Sequence, residues 1–143
     1  MDGYFIRPTR VTPSVYFNPA KGIMDMRGRS CPENPVKFYS YLLNSLKEFE
    51  HSDFQYLKTN IAFEYFNTSS SKCVFLILRK LDDLIRRGKS VRVNWFYEAG
   101  DMDMYESGED LCSFFSLRIN FIEVPEIQIL GKLQEQIKPQ LVA

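Results

Sequence analysis

The chain has 143 residues, of which 45% are hydrophobic and 15% aromatic, so it is long and apolar enough to form a folded domain with a core. Lysine plus arginine and aspartate plus glutamate balance at 18 each, which argues against a dedicated nucleic-acid-binding protein because such proteins carry a basic excess. No stretch approaches the roughly 20 apolar residues that span a bilayer, and the first residues do not resemble a signal peptide, so we expect a cytoplasmic protein that does not bind membranes.

The first third of the chain predicts an extended arm, a β-hairpin and a helix. Residues 1–13 contain two prolines and little periodicity, which indicates an arm. Short runs of β-forming residues on either side of an Asn-Pro and Gly turn predict a hairpin over residues 14–29. Asn34 is a good N-cap with proline after it, and apolar residues at helical spacing then predict a helix over residues 35–50.

The centre of the chain predicts a strand, a helix and a second strand. Alternation with period two indicates a strand over residues 56–66, and helical periodicity follows over residues 68–87. A further strand over residues 90–97 completes a βαβ unit, whose two strands should be parallel. Between the first strand and the helix lies Asn67, followed by four hydroxyl residues that also favour helix N-termini: Thr68, Ser69, Ser70 and Ser71.

This hydroxyl-rich turn is the most informative site in the sequence. Open α/β sheets tend to place functional groups beyond the carboxyl ends of their strands, and the free N–H groups of a helix N-terminus favour an anion. Two interpretations remain open. The turn either binds a phosphate or carries one covalently, or it is a helix cap with solvated serines.

The last third of the chain predicts an acidic segment, one more strand and a tail. The carboxylates within residues 98–113 indicate an acidic loop and a short helix, because their spacing and the position of the glycine do not fit a calcium-binding loop. Alternation over residues 117–122 predicts the final strand. Apolar residues beyond Pro125 predict a short amphipathic helix in the tail, residues 125–143, which either packs on the domain or forms a homodimer contact.

The sequence contains no recognisable catalytic or metal-binding set. It has no glycine-rich phosphate loop and no zinc-binding pattern, and the serines of the turn have no evident base to activate them. His51, the single histidine, falls in a polar loop, and widely spaced Cys31, Cys73 and Cys112 predict free thiols. We therefore expect a binding module without cofactor or metal rather than an enzyme.

Four motifs occur in order within about residues 12 to 124. They are Ser30-Cys31-Pro32-Glu33-Asn34, Asn67-Thr68-Ser69-Ser70, Val93-Asn94-Trp95-Phe96-Tyr97, and Gly108-Glu109-Asp110 followed by Phe114. Together these motifs resemble the SiaC family of bacterial regulatory phosphoproteins. The resemblance implies an α/β, STAS-like fold, in which a mixed sheet of about five strands carries helices mainly on one face. We expect residues 14–124 to form this core within a single domain of residues 1–143. The tail departs from the family pattern, which ends soon after the last strand.

The same resemblance implies a function in partner switching and cyclic-di-GMP signalling. In the family, a dedicated kinase phosphorylates the threonine of the Asn-Thr-Ser-Ser motif, and a PP2C-type phosphatase removes the phosphate. The unmodified protein binds and activates a diguanylate cyclase. On this resemblance Thr68 is the phosphoacceptor, in a turn that it shares with Asn67, Ser69 and Ser70.

Helical spacing predicts a surface for partner binding. If the helix begins near Thr68, then Lys72, Phe75 and Arg79 share a face with it, turned away from the predicted core. Phe75 then either belongs to a docking ridge or packs under a neighbouring loop.

Two other questions are left open by the sequence. Glu33 and Asn34 are explained equally well as a turn with a helix cap and, by the resemblance, as a loop that contacts a partner. Two functions other than partner switching are also possible from the sequence. One is a STAS-like sensor that binds a nucleotide or lipid at residues 67–71, and the other is a scaffold that dimerises through its tail.

Overall fold

The computed structural model of the protein describes residues 1–129, in which a six-stranded sheet carries three helices. This arrangement confirms the α/β class predicted from the sequence. In chain order the elements are β1 (Tyr4–Ile6), β2 (Ser14–Asn18), β3 (Ile23–Ser30), α1 (Pro35–Glu50), β4 (Tyr56–Phe66), α2 (Thr68–Arg86), β5 (Ser90–Glu98), α3 (Met102–Cys112) and β6 (Ile119–Val124).

The strands lie in the sheet in the same order as in the chain. β1, β2 and β3 pair antiparallel, whereas β3, β4, β5 and β6 pair parallel. The parallel pairing of β4 with β5 confirms the predicted βαβ unit. Because the carboxyl ends of parallel strands meet at one edge, the segments that lead from β3 into α1 and from β4 into α2 lie side by side.

The sheet has one strand more than the sequence predicts, because part of the expected arm forms β1. Tyr4 pairs with Phe17 of β2 and is only 5% exposed. Its hydroxyl lies 2.9 Å from Ser45 Oγ of α1, and its ring packs edge-on against Tyr41, with 4.6 Å between centroids. These contacts come from a distant part of the chain, so local periodicity does not predict them.

One hydrophobic core lies between the sheet and the helices. α1 and α2 each bury one side, for example Leu42 and Leu46 on α1 and Ile77 and Leu81 on α2, all 0 to 1% exposed. This spacing of three to four residues is the reason that both segments form amphipathic helices. Truncating one such leucine to alanine typically costs about 2–5 kcal/mol.

The opposite face of the sheet is mixed and carries a row of polar side chains across its parallel strands. Asp25, Asn60, Asn94 and Asn120 lie next to one another across β3, β4, β5 and β6. Asn94 Nδ2 donates to Asn60 Oδ1 at 3.0 Å, and Asn120 Nδ2 donates to Asn94 Oδ1 at 3.1 Å. Arg27 Nε pairs with the Asp25 carboxylate at 2.9 Å. The helices therefore pack on the apolar face, as predicted.

The acidic segment predicted as a loop and short helix contains α3, which packs against the sheet through Gly108. A Cβ atom at Gly108 would lie 2.6 Å from the Trp95 indole, so only glycine fits there without a shift. The Trp95 Nε1–H also donates to the Met104 carbonyl at 3.1 Å. Close packing on Trp95 thus gives a physical reason for the glycine of the Gly-Glu-Asp motif.

The final strand and the tail differ from the sequence prediction. β6 occupies Ile119–Val124 instead of residues 117–122. Residues 125–129 are not helical; within them Ile127 is 4% exposed, and its N–H donates to Glu98 Oε2 at 3.0 Å. The rest of the helix predicted for the tail falls on residues 130–143, outside the described residues.

Candidate functional site

The hydroxyl side chains at the start of α2 differ in their exposure. Asn67 caps the helix with an extended backbone, and its Oδ1 accepts from the Ser70 N–H at 2.9 Å. Thr68 and Ser69 are exposed, whereas Ser70 is 0% exposed. Ser71 is half-buried, and its Oγ donates to the Thr68 carbonyl at 2.7 Å. The turn therefore presents Thr68 and Ser69 to solvent and keeps Ser70 inside the protein.

The Thr68 side chain is accessible at the positive end of the α2 dipole. Its hydroxyl makes no hydrogen bond to any other group within residues 1–129. An anion at a surface helix N-terminus is typically stabilised by about 0.3–1 kcal/mol. Lys72 is exposed one turn further along α2, on the same side of the helix as Thr68.

A buried chain of hydroxyl groups connects this turn to β3 and α1. Ser30 Oγ lies 2.5 Å from the Tyr39 hydroxyl and donates to Ser70 Oγ at 2.9 Å, and all three residues are 0% exposed. Because the single hydroxyl proton of Ser30 goes to Ser70, Tyr39 must donate to Ser30. The Asn67 N–H in addition donates to the Ser30 carbonyl at 3.1 Å. Burial raises the pKa of the Tyr39 phenol, and the hydrogen bond that it shares with Ser30 offsets this only in part, so the group is neutral at pH 7.

Sequence reasoning did not identify this chain of hydroxyl groups. In the sequence Ser30 is only the first residue of a motif, and Tyr39 is one of several aromatic residues in the segment predicted as a helix. The available signal was a serine at the end of β3, a strand whose alternating residues Met24 and Met26 are buried. A polar residue in such a position needs a hydrogen-bonding partner.

The segment before α1 lies beside the Thr68 turn, because β3 and β4 are parallel neighbours. Asn34 caps α1, since its Oδ1 accepts from the Lys37 N–H at 3.1 Å. Glu33 and Asn34 are both exposed. The structure thus brings these two predicted contact residues to the same edge of the sheet as Thr68, and it confirms the cap at Asn34.

The face predicted as a docking ridge on α2 is only partly free. Lys72 and Arg79 are exposed. Phe75 is half-buried, and its ring packs against Phe114 and Phe115, with centroids 5.4 and 5.1 Å apart. Phe75 therefore packs under the segment that follows α3, one of the two possibilities that helical spacing left open. Phe114 is itself 70% exposed, so the aromatic cluster reaches the surface.

A family model described as the SiaC family regulatory phosphoprotein matches residues 6–124. The chain belongs to the SiaC family. A relative, an uncharacterized protein of Pseudomonas aeruginosa, is 27% identical over 117 residues, which are 80% of this chain and 93% of the relative. The family inferred from the ordered motifs is thereby confirmed.

Solved structures of SiaC share the fold. SiaC of Pseudomonas aeruginosa matches with a TM-score of 0.79 at 23% identity, over 87% of this chain and 100% of the other. A second structure contains the diguanylate cyclase SiaD in complex with its activator SiaC, from the same organism. It matches with a TM-score of 0.79 at 24% identity, over 84% of this chain and 98% of the other.

The cysteines of this SiaC family member are free and at least half-buried. Cys31 is half-buried, and Cys73 and Cys112 are buried; all three are free thiols, and burial raises the pKa of Cys112 to about 12. Within residues 1–129 no group of three or more histidine, cysteine, aspartate and glutamate side chains could hold a metal. None of the helices described here is long and apolar enough to cross a membrane.

Proposed function

We propose that this SiaC family member is a non-catalytic protein of a bacterial partner-switching pathway, with Thr68 as its phosphoacceptor. The supporting observation is the geometry of the turn. Thr68 is exposed at a helix N-terminus, while Asn67 and buried Ser70 on either side are held by hydrogen bonds. A kinase can therefore reach the hydroxyl without unfolding the helix.

The proposed effector is a diguanylate cyclase, because SiaC of Pseudomonas aeruginosa is the activator of the diguanylate cyclase SiaD, with which it forms a complex. A dedicated kinase and a PP2C-type phosphatase set the phosphorylation state of Thr68. The unmodified protein binds and activates the effector. Contacts come from exposed residues near the turn, namely Glu33, Asn34 and Lys72, from Arg79 further along α2, and from the exposed edge of the cluster around Phe75.

Phosphorylation changes the surface more than the fold. A phosphate adds roughly −1.5 to −2 charges and three strong acceptors. The helix dipole favours that charge, and Lys72 can offer it a charge-assisted hydrogen bond. A partner, however, must then desolvate an anion where it previously met a neutral hydroxyl. The cost of several kcal/mol corresponds to a loss of affinity of about a hundredfold or more.

The decisive experiment compares effector binding by phosphorylated and unphosphorylated protein. The effector is first isolated with Thr68→Ala protein as bait, and mass spectrometry of protein from the native host locates the phosphate. We expect Thr68→Ala to remain in the binding form and Thr68→Asp to mimic the released form in part. Ser69→Ala is the matched control, because Ser69 is also an exposed hydroxyl residue in the same turn.

Three results would argue against this function. Equal affinity of the two forms, with circular dichroism confirming that both are folded, would refute the switch. Tighter binding of the phosphorylated form would mean that phosphorylation promotes effector binding instead of preventing it. Saturable nucleotide binding at residues 67–71, without phosphate on Thr68 in the host, would favour the ligand-sensing alternative.

A further inference from the structure

A groove runs between α1 and α2 on the side of the helices that faces away from the sheet. The two helices are parallel, because each follows one of two parallel strands. They are joined at their starts through Tyr39, Ser30 and Ser70. At their ends Glu50 of α1 pairs with Lys80 of α2 at 2.5 Å. The groove has a volume of about 380 Å³ and is lined by Leu43, Asn44, Lys47, Leu76, Arg79, Lys80 and Asp83.

The floor of this α1/α2 groove is apolar although it faces solvent. Leu43 is half-buried and Leu76 is 36% exposed, each from a different helix. Val36, two turns before Leu43 on the same side of α1, is 70% exposed. The outer side of a surface helix is ordinarily polar, so aligned apolar residues on two neighbouring helices are typical of a binding groove.

The rim of the groove carries more positive than negative charge: Lys47, Arg79 and Lys80 line it, against one lining carboxylate, Asp83. Lys47 and Arg79 line the groove, and Lys37 and Lys72 are exposed on the same two helices nearer their starts. None of these four cations forms an ion pair or a side-chain hydrogen bond with a residue in the range 1–129. Other cations of α2 are paired: Lys80 with Glu50, and Arg86 with Asp82 at 2.8 Å.

We propose that the α1/α2 groove binds an acidic amphipathic helix of the effector protein. The inference rests on the proposed function, since it names the chemistry of the partner. An amphipathic helix places apolar side chains at intervals of three and four residues, which suits a floor made by Leu43 and Leu76. Carboxylates flanking that apolar stripe would pair with the free cations of the rim.

The position of Thr68 relative to the groove links this surface to the switch. At 1.5 Å per residue, Leu76 lies about 12 Å from Thr68 along α2, so a helix of about 16 residues spans both. A phosphate on Thr68 adds negative charge at one end of the binding surface and also engages Lys72. An acidic helix is repelled by that charge, whereas a neutral one would be little affected.

The probe is a synthetic stapled helix of about 16 residues, with leucines along one side and glutamates beside them, labelled for fluorescence anisotropy. Two matched peptides replace the glutamates by glutamine or by lysine. We expect saturable, micromolar binding of the acidic peptide at low salt, at least about tenfold tighter than that of the glutamine peptide. Added salt should weaken it.

Paired charge reversals locate the binding surface. The double variant Lys47→Glu with Arg79→Glu should bind the acidic peptide at least about tenfold more weakly. The control is Lys21→Glu with Arg92→Glu, which changes the charge equally at exposed positions outside the groove. It should bind within about twofold of the unmodified protein. Leu76→Ser tests the apolar floor and should also weaken binding.

Several results would overturn the groove assignment. One is that the acidic peptide shows no saturable binding up to about 1 mM. Another is that the lysine peptide binds as tightly as the acidic peptide or more tightly. A third is that the two charge-reversal variants lose the same affinity for the acidic peptide. A dimer that the groove reversal dissociates would assign the groove to a second copy of the chain. Groove-dependent sedimentation with phosphatidylglycerol vesicles would assign it to a membrane instead.

The groove and the switch can fail separately. If phosphorylation of Thr68 abolishes effector binding while the groove reversal leaves effector binding unchanged, the proposed function stands and the groove assignment is wrong. If the groove reversal abolishes effector binding while phosphorylation has no effect, the groove stands and the switch is refuted.

Discussion

Removing the hydroxyl of Tyr39 should weaken the connection between α1 and the turn that carries Thr68. Tyr39 donates to Ser30 Oγ at 2.5 Å, and Ser30 donates onward to Ser70 Oγ at 2.9 Å. Tyr39→Phe retains the ring, whose edge-to-face contact with Phe38 has centroids 4.9 Å apart. The substitution therefore removes one hydrogen bond with little change in packing.

The magnitude follows from which groups lose a partner. A buried neutral hydrogen bond contributes about 0.5–1.5 kcal/mol net, and a buried group left without any partner costs about 1–3 kcal/mol. In Tyr39→Phe the Ser30 hydroxyl still donates to Ser70, so the free energy of unfolding should fall by about 1 kcal/mol. In Ser70→Ala the Ser30 hydroxyl has no acceptor, so the free energy of unfolding should fall further, by up to about 3 kcal/mol.

Urea unfolding followed by circular dichroism measures both effects. Tyr41→Phe is the control, because Tyr41 is on the same helix and 53% exposed, so its change should stay within about 0.5 kcal/mol. The double variant Tyr39→Phe with Ser70→Ala should show coupling of about 0.5 kcal/mol or more, since both side chains act on Ser30. Hydrogen exchange of the Ser70 amide should accelerate in Tyr39→Phe.

One outcome would refute this reasoning. If Tyr39→Phe and Tyr41→Phe unfold at the same urea concentration with unchanged slopes, the hydroxyl chain does not stabilise the fold. The turn would then be held by the Asn67 cap and by the backbone hydrogen bond from Asn67 to Ser30.

Three further predictions concern stability. Gly108→Ala should destabilise the protein by about 1–3 kcal/mol, because the added Cβ would lie 2.6 Å from the Trp95 indole; an unchanged Tm would contradict this. The hydrogen bond from Lys80 holds the pKa of Glu50 below its ordinary value. Ionised Glu50 therefore stabilises the folded protein above about pH 4.3, and this stabilisation is lost as the pH falls. In Glu50→Gln the Tm should accordingly fall less as the pH is lowered. An unchanged fall of Tm at acid pH would contradict this role of Glu50. Burial raises the pKa of Cys112 from 9.0 to about 12, so stability should fall as the pH rises through this range. Cys112→Ala should lessen that alkaline loss, and an identical alkaline limb would disprove the assignment.

Local patterns predicted most of the elements, because the interactions that define them span only a few residues. The sequence predicts Asn34 as a helix cap and Asn67 as the first of a run of good cap residues, and each side chain does accept from an N–H three residues later. Both helices and the parallel strands around α2 were also predicted, since amphipathic periodicity and β-alternation are local properties. β1 lies in the segment predicted as an extended arm, because its three residues owe their place to contacts with β2 and α1.

By itself the sequence determined the family, through its ordered motifs, and the location of the hydroxyl-rich turn. Only the tertiary structure decided which hydroxyl groups of that turn face solvent. Ser70 is buried because Ser30 and Tyr39, 40 and 31 positions earlier, supply its polar environment. Phe75 likewise is half-buried by rings from the segment after α3. The physical reason is the same in both cases: helix periodicity fixes the angle at which a side chain leaves the helix axis, but the partners at that angle come from elsewhere in the fold.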